Sequence, residues 1–215
     1  MMEKRITPDA IRAMERIERI NFMNTVSGFR GATLIGTLSH HGVPNLAMFN
    51  SLVHIGAAPP LLGFIIRPLT VPRHTYHNIK AKRYFTANLV HQEIVRAAHQ
   101  TSANYATGVS EFDASGLTPQ YTEAHPAPYV EESRIRIGLK YAEEHLIRAN
   151  ESILLVGEVV ELFVPAEAVG PKGHLNLSEY KLTAVAGLDT YYQPERLCRL
   201  DYARPGREPS ELDES

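Results

Sequence analysis

Between residues 31 and 164 the sequence is divided into short runs of β-forming residues, and clusters of glycine, proline and asparagine separate them. The runs follow one another after short turns, as in hairpins, and do not alternate regularly with helices. This pattern favours an antiparallel barrel over the competing fold, a doubly wound parallel sheet. We therefore predict a mainly β fold with peripheral helices.

The predicted strands cover residues 31–39, 46–55, 61–67, 84–90, 135–145 and 152–164. Helices are predicted over residues 7–20, 70–82 and 92–105, from helix-start residues and from apolar residues at helical spacing. The apolar stripe of the first helix suits packing against a barrel. The proline-containing stretch 106–133 is predicted to be a long surface loop.

The length of 215 residues allows one sizeable core but is short for two complete domains. We divide the chain into an N-terminal helix over residues 1–22, a barrel domain over residues 23–202 and a tail over residues 203–215. The tail contains proline, glutamate and serine, and we expect it to be mobile.

The net charge of −2 gives no general attraction to nucleic acid or to an anionic membrane surface. The N-terminus lacks the apolar stretch of a secretory signal, and no segment approaches the roughly 20 apolar residues that cross a bilayer. A single cysteine, Cys198, cannot form a disulfide within the chain, which fits a reducing compartment. We expect a cytoplasmic protein that binds neither nucleic acid nor membrane.

The most informative segment covers residues 45–78. It joins a strand that contains Asn50-Ser51, a double-proline corner at Pro59-Pro60, a buried strand, and a basic, hydroxyl-rich turn that leads into a helix. A hairpin with Gly42 and Asn45 precedes the segment's strand. Further pieces follow at residues 85–89, 110–117 and 155–159.

The order and spacing of these pieces resemble the flavin reductase-like family of FMN-binding split barrels, over about residues 25–205. The resemblance implies a Greek-key-like antiparallel barrel with peripheral helices that binds FMN. It also implies a homodimer with the flavin at the interface. Electrons would pass from NADH or NADPH, or from another donor, through the flavin to an acceptor that the sequence leaves open.

The turn after the double-proline corner is suited to the phosphate of FMN. A helix N-terminus binds anions because its backbone N–H groups lack partners and carry partial positive charge, and arginine adds planar paired donors. An ordinary capped surface helix with solvated arginines is the alternative. The candidate phosphate residues are Arg67, Thr70, Arg73, His74, Thr75 and Asn78.

The flavin ring needs a flat slot with a few donors and acceptors, because its pyrimidine edge must be hydrogen-bonded once buried. Backbone groups of two strand ends could supply them, together with the Asn50 amide and the Ser51 hydroxyl. The candidate ring residues are Ala47, Met48, Phe49, Asn50, Ser51, Asn88 and Leu89. Candidates for the exposed face of the flavin are His54, Phe112, Tyr191 and Tyr192.

One stretch departs from the family. Many flavin reductases carry a Gly-Asp-His turn before the strand that ends in Gly-x-Val, and its histidine is associated with nicotinamide binding. Residues 148–152 here contain no histidine. This departure leaves open an FMN protein with another electron donor or acceptor. Two further alternatives are a non-catalytic FMN-binding module and an FMN enzyme similar to pyridoxine-phosphate oxidase.

Histidines also raise the question of a metal site. His40-His41 and His74-x-x-His77 each supply two ligands, but the sequence does not show a third ligand near either pair. We predict no metal.

Overall fold

Strands make up most of the regular structure of the chain in this computed structural model, which describes residues 2–106 and 108–212. In chain order they are β1 (Arg30–Gly31), β2 (Thr33–Leu38), β3 (Pro44–Phe49), β4 (Val53–Ala57), β5 (Pro60–Ile66), β6 (Tyr84–Leu89), β7 (Pro119–Gln120), β8 (Tyr129–Val130), β9 (Arg136–Ile147), β10 (Ser152–Phe163), β11 (Ala184–Ala186) and β12 (Thr190–Tyr192). The α-helices are α1 (Pro8–Ala13), α2 (Arg16–Val26), α3 (His74–Lys82), α4 (Val95–Gln100) and α5 (Glu111–Ser115). The predicted mainly β fold is confirmed.

Seven strands form one antiparallel sheet in the order β3-β2-β6-β9-β10-β5-β4. The sheet curls so that its first and sixth strands meet: the ring centroids of Phe49 in β3 and Phe64 in β5 lie 4.8 Å apart. Side chains from five strands fill the space inside, including Ile35, Phe64, Phe85, Leu139 and Leu155. This curled sheet is the barrel that the strand pattern predicts.

The predicted strand over residues 46–55 is two strands, because the chain leaves the ladder after Phe49. The Asn50 amide Nδ2 donates to the Gly187 carbonyl at 3.0 Å, and the Ser51 Oγ accepts from the Ile65 backbone N–H at 3.0 Å. These contacts fix a short loop, residues 50–52, and β4 begins at Val53. The third predicted helix is also shorter than expected, since α4 spans only Val95–Gln100.

The predicted N-terminal helix is divided into α1 and α2. The Arg19 guanidinium Nη1 donates to the carbonyls of Arg12 and Met14, at 3.2 and 3.0 Å, and so satisfies the C-terminal end of α1. Neither helix buries a residue, and Ile17 is 63% exposed. Of the predicted stripe, Ile11, Met14 and Ile20 are half-buried, so the stripe is partly covered in the chain taken alone.

The predicted surface loop over residues 106–133 is also wrong. Its described part contains α5, β7 and β8, and the side chains of Phe112, Tyr129 and Val130 are completely buried. Phe112 and Val130 belong to a second core cluster, and Tyr129 packs against His125 and Phe163. The turn-forming residues between these apolar groups led to the prediction of a loop.

The predicted tail, residues 203–215, extends beyond the described residues at its last three positions, and its mobility stays a prediction. Among the helices of the described ranges, none combines the length and the apolar character that crossing a membrane requires.

Candidate functional site

The outer edge of β3 is open at Met48. Among the described strands β3 pairs only with β2, and backbone groups along an antiparallel strand point alternately to its two sides. The Leu46 N–H donates to Glu111 Oε2 at 3.0 Å and the Pro44 carbonyl accepts from Ser110 Oγ at 2.7 Å. The backbone groups of every second residue from Pro44 therefore form a series that faces away from β2. Met48 continues the series, and its N–H and C=O meet no described strand.

Ala47 and Phe49 belong to the other series, whose backbone groups face β2. Phe49 instead contributes its ring to the core, edge-on to Phe64. Of the three ring candidates on β3, Met48 is therefore left with backbone groups that bond to no described residue. Asn50 keeps its Oδ1 as an acceptor and Ser51 keeps its hydroxyl hydrogen as a donor, beside the contacts that anchor their loop.

The turn between β5 and α3 carries two arginines. Arg67 follows β5 directly, is exposed, and has no ion-pair partner among the described residues. Arg73 is half-buried at the N-cap of α3, and its Nε donates to the Pro68 carbonyl at 3.4 Å. Thr70 and His74 are exposed on the same turn.

The start of α3 is electrostatically suited to an anion. Its first turn contains no acidic residue, and no side chain caps its N–H groups. Lys80 and Lys82 lie in the last turn, at the opposite end of the helix. The backbone N–H groups of residues 74–76 therefore keep free hydrogen-bonding capacity within the described part of the chain. With Arg67 and Arg73 nearby in sequence, this turn can hold a group with two negative charges.

A buried polar network connects the turn to the β3 edge. Asn45 Nδ2 donates to Thr37 Oγ1 at 3.2 Å and to Thr75 Oγ1 at 3.3 Å, and Asn78 Nδ2 donates to Thr37 Oγ1 at 3.1 Å. All four residues are at least nine-tenths buried. Two predicted phosphate residues, Thr75 and Asn78, thus hold α3 against β2 and β3. The Thr75 hydroxyl hydrogen and the second Nδ2 hydrogen of Asn78 meet no partner among the described residues.

Asn88 and Leu89 lie on β6, on the other side of β2 from β3. Asn88 is completely buried, its Nδ2 donates to Leu34 O and Thr86 Oγ1, and its Oδ1 accepts from the Val130 N–H. The Leu89 N–H and carbonyl bond to Ile135 and Ser133. These contacts leave the Asn88 amide without a free N–H, and the place of both residues at the flavin ring stays a prediction.

Of the candidates for the exposed flavin face, Phe112 is wrong because it is completely buried in the second core cluster. His54 is exposed on β4. Tyr191 is half-buried with its hydroxyl 2.8 Å from His99 Nδ1, and burial raises its pKa, with a smaller contribution from Asp189. Tyr192 packs edge-on against Phe29, with 4.7 Å between ring centroids.

Besides Asn45, which was predicted only as part of a hairpin, two residues of the site were not predicted as site residues, Thr37 and Glu111. Both act over long sequence separations, 41 residues for the Thr37 contact with Asn78 and 65 for Glu111 with Leu46. The Ser110-Glu111 start of α5 was the one local signal. Among the described residues, no group of three His, Cys, Asp or Glu side chains could hold a metal ion.

Comparison with known proteins adds a family and a fold. The family described as flavin reductase like domain matches residues 28–192. An uncharacterised protein of Halalkalibacterium halodurans is 30% identical over 169 residues, covering 70% of this chain and 80% of that protein.

Two crystal structures show the same architecture. One is a Shewanella frigidimarina NCIMB 400 protein assigned as a flavin reductase with a split barrel domain, which is 42% identical, with a TM-score of 0.90, and covers 94% of this chain and 100% of its own. The other is nitrilotriacetate monooxygenase component B of Bacillus cereus, at 21% identity and a TM-score of 0.79, covering 91% and 98%. The described barrel is therefore a split barrel.

Proposed function

The chain belongs to the flavin reductase-like family and is an oxidoreductase with a split-barrel fold, and from this premise we propose that it binds FMN at the site between β3 and α3. The observation that carries the choice of FMN is the turn before α3. Two arginines and an uncapped helix start lie there without an acidic side chain in the first helical turn. A terminal phosphate dianion matches that charge, and FAD has no such terminal group.

The remaining donors and acceptors fit the ring of the same molecule. The Met48 backbone, the Asn50 Oδ1 and the Ser51 hydroxyl offer donors and acceptors within four residues, on a strand edge that the Asn45 network joins to α3. A buried pyrimidine edge needs such partners, because moving an unpaired polar group out of water costs about 2–7 kcal/mol of free energy.

Bound FMN supplies the electron and hydride transfer, as cofactors do in flavoenzymes. The chain has the task of holding and orienting it. Arg67 and Arg73 bind the phosphate, the open edge of β3 fixes the ring, and the apolar core around Phe49 and Phe64 excludes water from behind that edge.

We propose NADH or NADPH as the electron donor. Solved structures with this fold include a NADH:FAD oxidoreductase of Streptomyces globisporus and an FMN-binding protein of Thermus thermophilus, at 13% and 19% identity. The absence of histidine from residues 148–152 keeps another donor open. A purified yellow protein that oxidises either nicotinamide in air supports the proposal, and one inert to both refutes this donor.

We also propose a cytoplasmic homodimer. Phe29 is 67% exposed and packs against Tyr192, which is 44% exposed. Apolar groups exposed together are typical of surfaces that meet another protein. Analytical ultracentrifugation should give twice the chain mass of 24.0 kDa, and sedimentation as a monomer would refute the dimer.

The FMN assignment is tested by binding of FMN and riboflavin to Arg67→Ala and Arg73→Ala. Each variant should lose about 1.5–3 kcal/mol of FMN binding, the range for a hydrogen bond to a charged group. Riboflavin, which lacks the phosphate, should bind as it does to the parent chain. Arg96→Ala, which removes an exposed arginine of α4, is the control. Unchanged FMN affinity in both test variants would remove the phosphate site.

A further inference from the structure

A second polar cluster lies on the flank of α3 that faces β9. Glu144 Oε1 accepts from the Tyr76 hydroxyl and from Lys80 Nζ, both at 3.1 Å. Lys80 Nζ also donates to the Tyr141 hydroxyl at 3.1 Å. Tyr76 and Lys80 are four residues apart, so they project from the same face of the helix. Glu144 therefore holds two successive turns of α3.

The C-terminal end of α3 is also tied to β9, because the Arg83 carbonyl accepts from the Tyr141 backbone N–H at 2.8 Å. α3 has nine residues, all of them described, and Ile79 is its one completely buried apolar side chain. Helices of this length are marginal in isolation and depend on tertiary contacts. Polar contacts on two sides of the helix, Asn45–Thr75 toward β3 and Glu144 toward β9, thus contribute to the orientation of α3.

A β-bulge in β9 makes this contact possible. Val156 of β10 pairs with Glu143 and the next residue, Gly157, pairs with Tyr141, so Ala142 is an extra residue on β9. In a regular strand residues 141 and 144 would point to opposite faces. The bulge shifts the alternation by one, and both side chains reach Lys80.

The contact is not simply a stabilising ion pair. Glu144 Oε2 is buried without a hydrogen-bond partner among the described residues, although the side chain as a whole is 26% exposed. A buried, unpaired carboxylate oxygen opposes folding. Burial and the Glu144 contact raise the pKa of Tyr76, and the Tyr141 contact raises that of Lys80, so both remain donors at neutral pH.

We propose that Glu144 is a positioning residue for the flavin phosphate. Through Tyr76 and Lys80 it fixes α3 so that Arg73 and the free N–H groups of residues 74–76 face the phosphate. The inference rests on the proposed phosphate site. It predicts that Glu144 matters for flavins that carry the phosphate and not for those that lack it.

The experiment compares the affinities of the full chain for FMN and riboflavin by quenching of flavin fluorescence. Glu144→Ala should lower FMN affinity about three- to tenfold, the usual size of coupling through a neighbouring element, and leave riboflavin affinity unchanged. Tyr76→Phe should act in the same direction, less strongly. Glu144→Gln should restore part of the loss, because its amide oxygen still accepts from Tyr76. Glu143→Ala is the control, since the side chain of this exposed neighbour bonds, within the described part of the chain, to His145 and not to α3.

Equal losses for both flavins in Glu144→Ala would show a general structural role and overturn the proposal, as would unchanged FMN affinity. If Glu144→Ala does not fold, Tyr76→Phe decides by the same comparison. A parent chain that binds FMN no better than riboflavin would refute the phosphate site itself. If the parent chain binds FMN more tightly than riboflavin and Glu144→Ala keeps the same ratio of the two affinities, only the positioning role is refuted.

Discussion

The carboxylate oxygen Oε2 of Glu111 lies 3.0 Å from the backbone nitrogen of Leu46 and closes the outer edge of β3 at that residue. A side chain from α5 thus takes the place of a neighbouring strand. Two residues further on, at Met48, the same edge is open. The boundary between the closed and the open part of the edge therefore depends on one acidic residue.

Replacing Glu111 by alanine should loosen this edge. The Leu46 N–H would lose a charged acceptor, which costs about 1.5–3 kcal/mol in the free energy of unfolding. FMN and riboflavin affinities should fall together, because the ring and not the phosphate depends on β3. Urea unfolding and flavin titration measure the two effects, with Asp113→Ala, an exposed acid of α5, as control. A selective loss of FMN binding would contradict the assignment of ring and phosphate ends.

Thr37→Val should destabilise the fold and weaken FMN binding. The change keeps the shape of the side chain but removes the oxygen that accepts from both Asn45 and Asn78. Each buried amide hydrogen left without an acceptor costs about 1–3 kcal/mol. Urea denaturation should show a lowered midpoint, whereas Thr118→Val, at an exposed position, should not. An unchanged midpoint would mean that the network contributes nothing to holding α3.

Gly36→Ala should be among the most damaging single substitutions in β2. A Cβ at this position would collide with the Pro128 carbonyl oxygen and would lie 2.5 Å from Thr86 Oγ1. Overpacking of this kind costs about 1–3 kcal/mol, and a backbone obstacle places the change at the upper end. Gly31→Ala is the control, because a methyl group added there would meet no atom within 4 Å. Equal thermal midpoints for the two variants would refute the close contact between β2 and residue 128.

Stability should fall as the pH drops below about 6.5, in part through His125. Burial lowers the pKa of His125 from its ordinary value of 6.5, against the opposing effect of the Ala127 and Leu139 carbonyls. The unfolded chain then binds the proton more readily than the folded chain, so the free energy of unfolding decreases as the unfolded histidine becomes protonated. His125→Asn should flatten the decline between pH 7 and pH 5 in urea unfolding. A steeper decline in that variant would show that protonation of His125 does not favour the unfolded chain, and would contradict the prediction.

Local sequence determined a large part of this protein. Alternation and turn residues predicted the strands of the barrel, because a half-buried strand needs period-two hydrophobicity. The proline and hydroxyl residues around position 70 indicated the start of α3, and the arginines beside it indicated an anion site. These features depend on neighbours a few residues apart, which a sequence displays directly.

Tertiary structure decided which of the candidate side chains remain available. Asn88 and Phe112 have the residue types of a binding site, yet both are buried by partners distant in the chain. The contact of Glu144 with α3 requires the bulge at Ala142, and an extra residue in a strand becomes visible only against its partner strand. Pairing register and packing set the direction of each side chain. They arise between segments, so the sequence by itself could name the chemistry of the site but not its geometry.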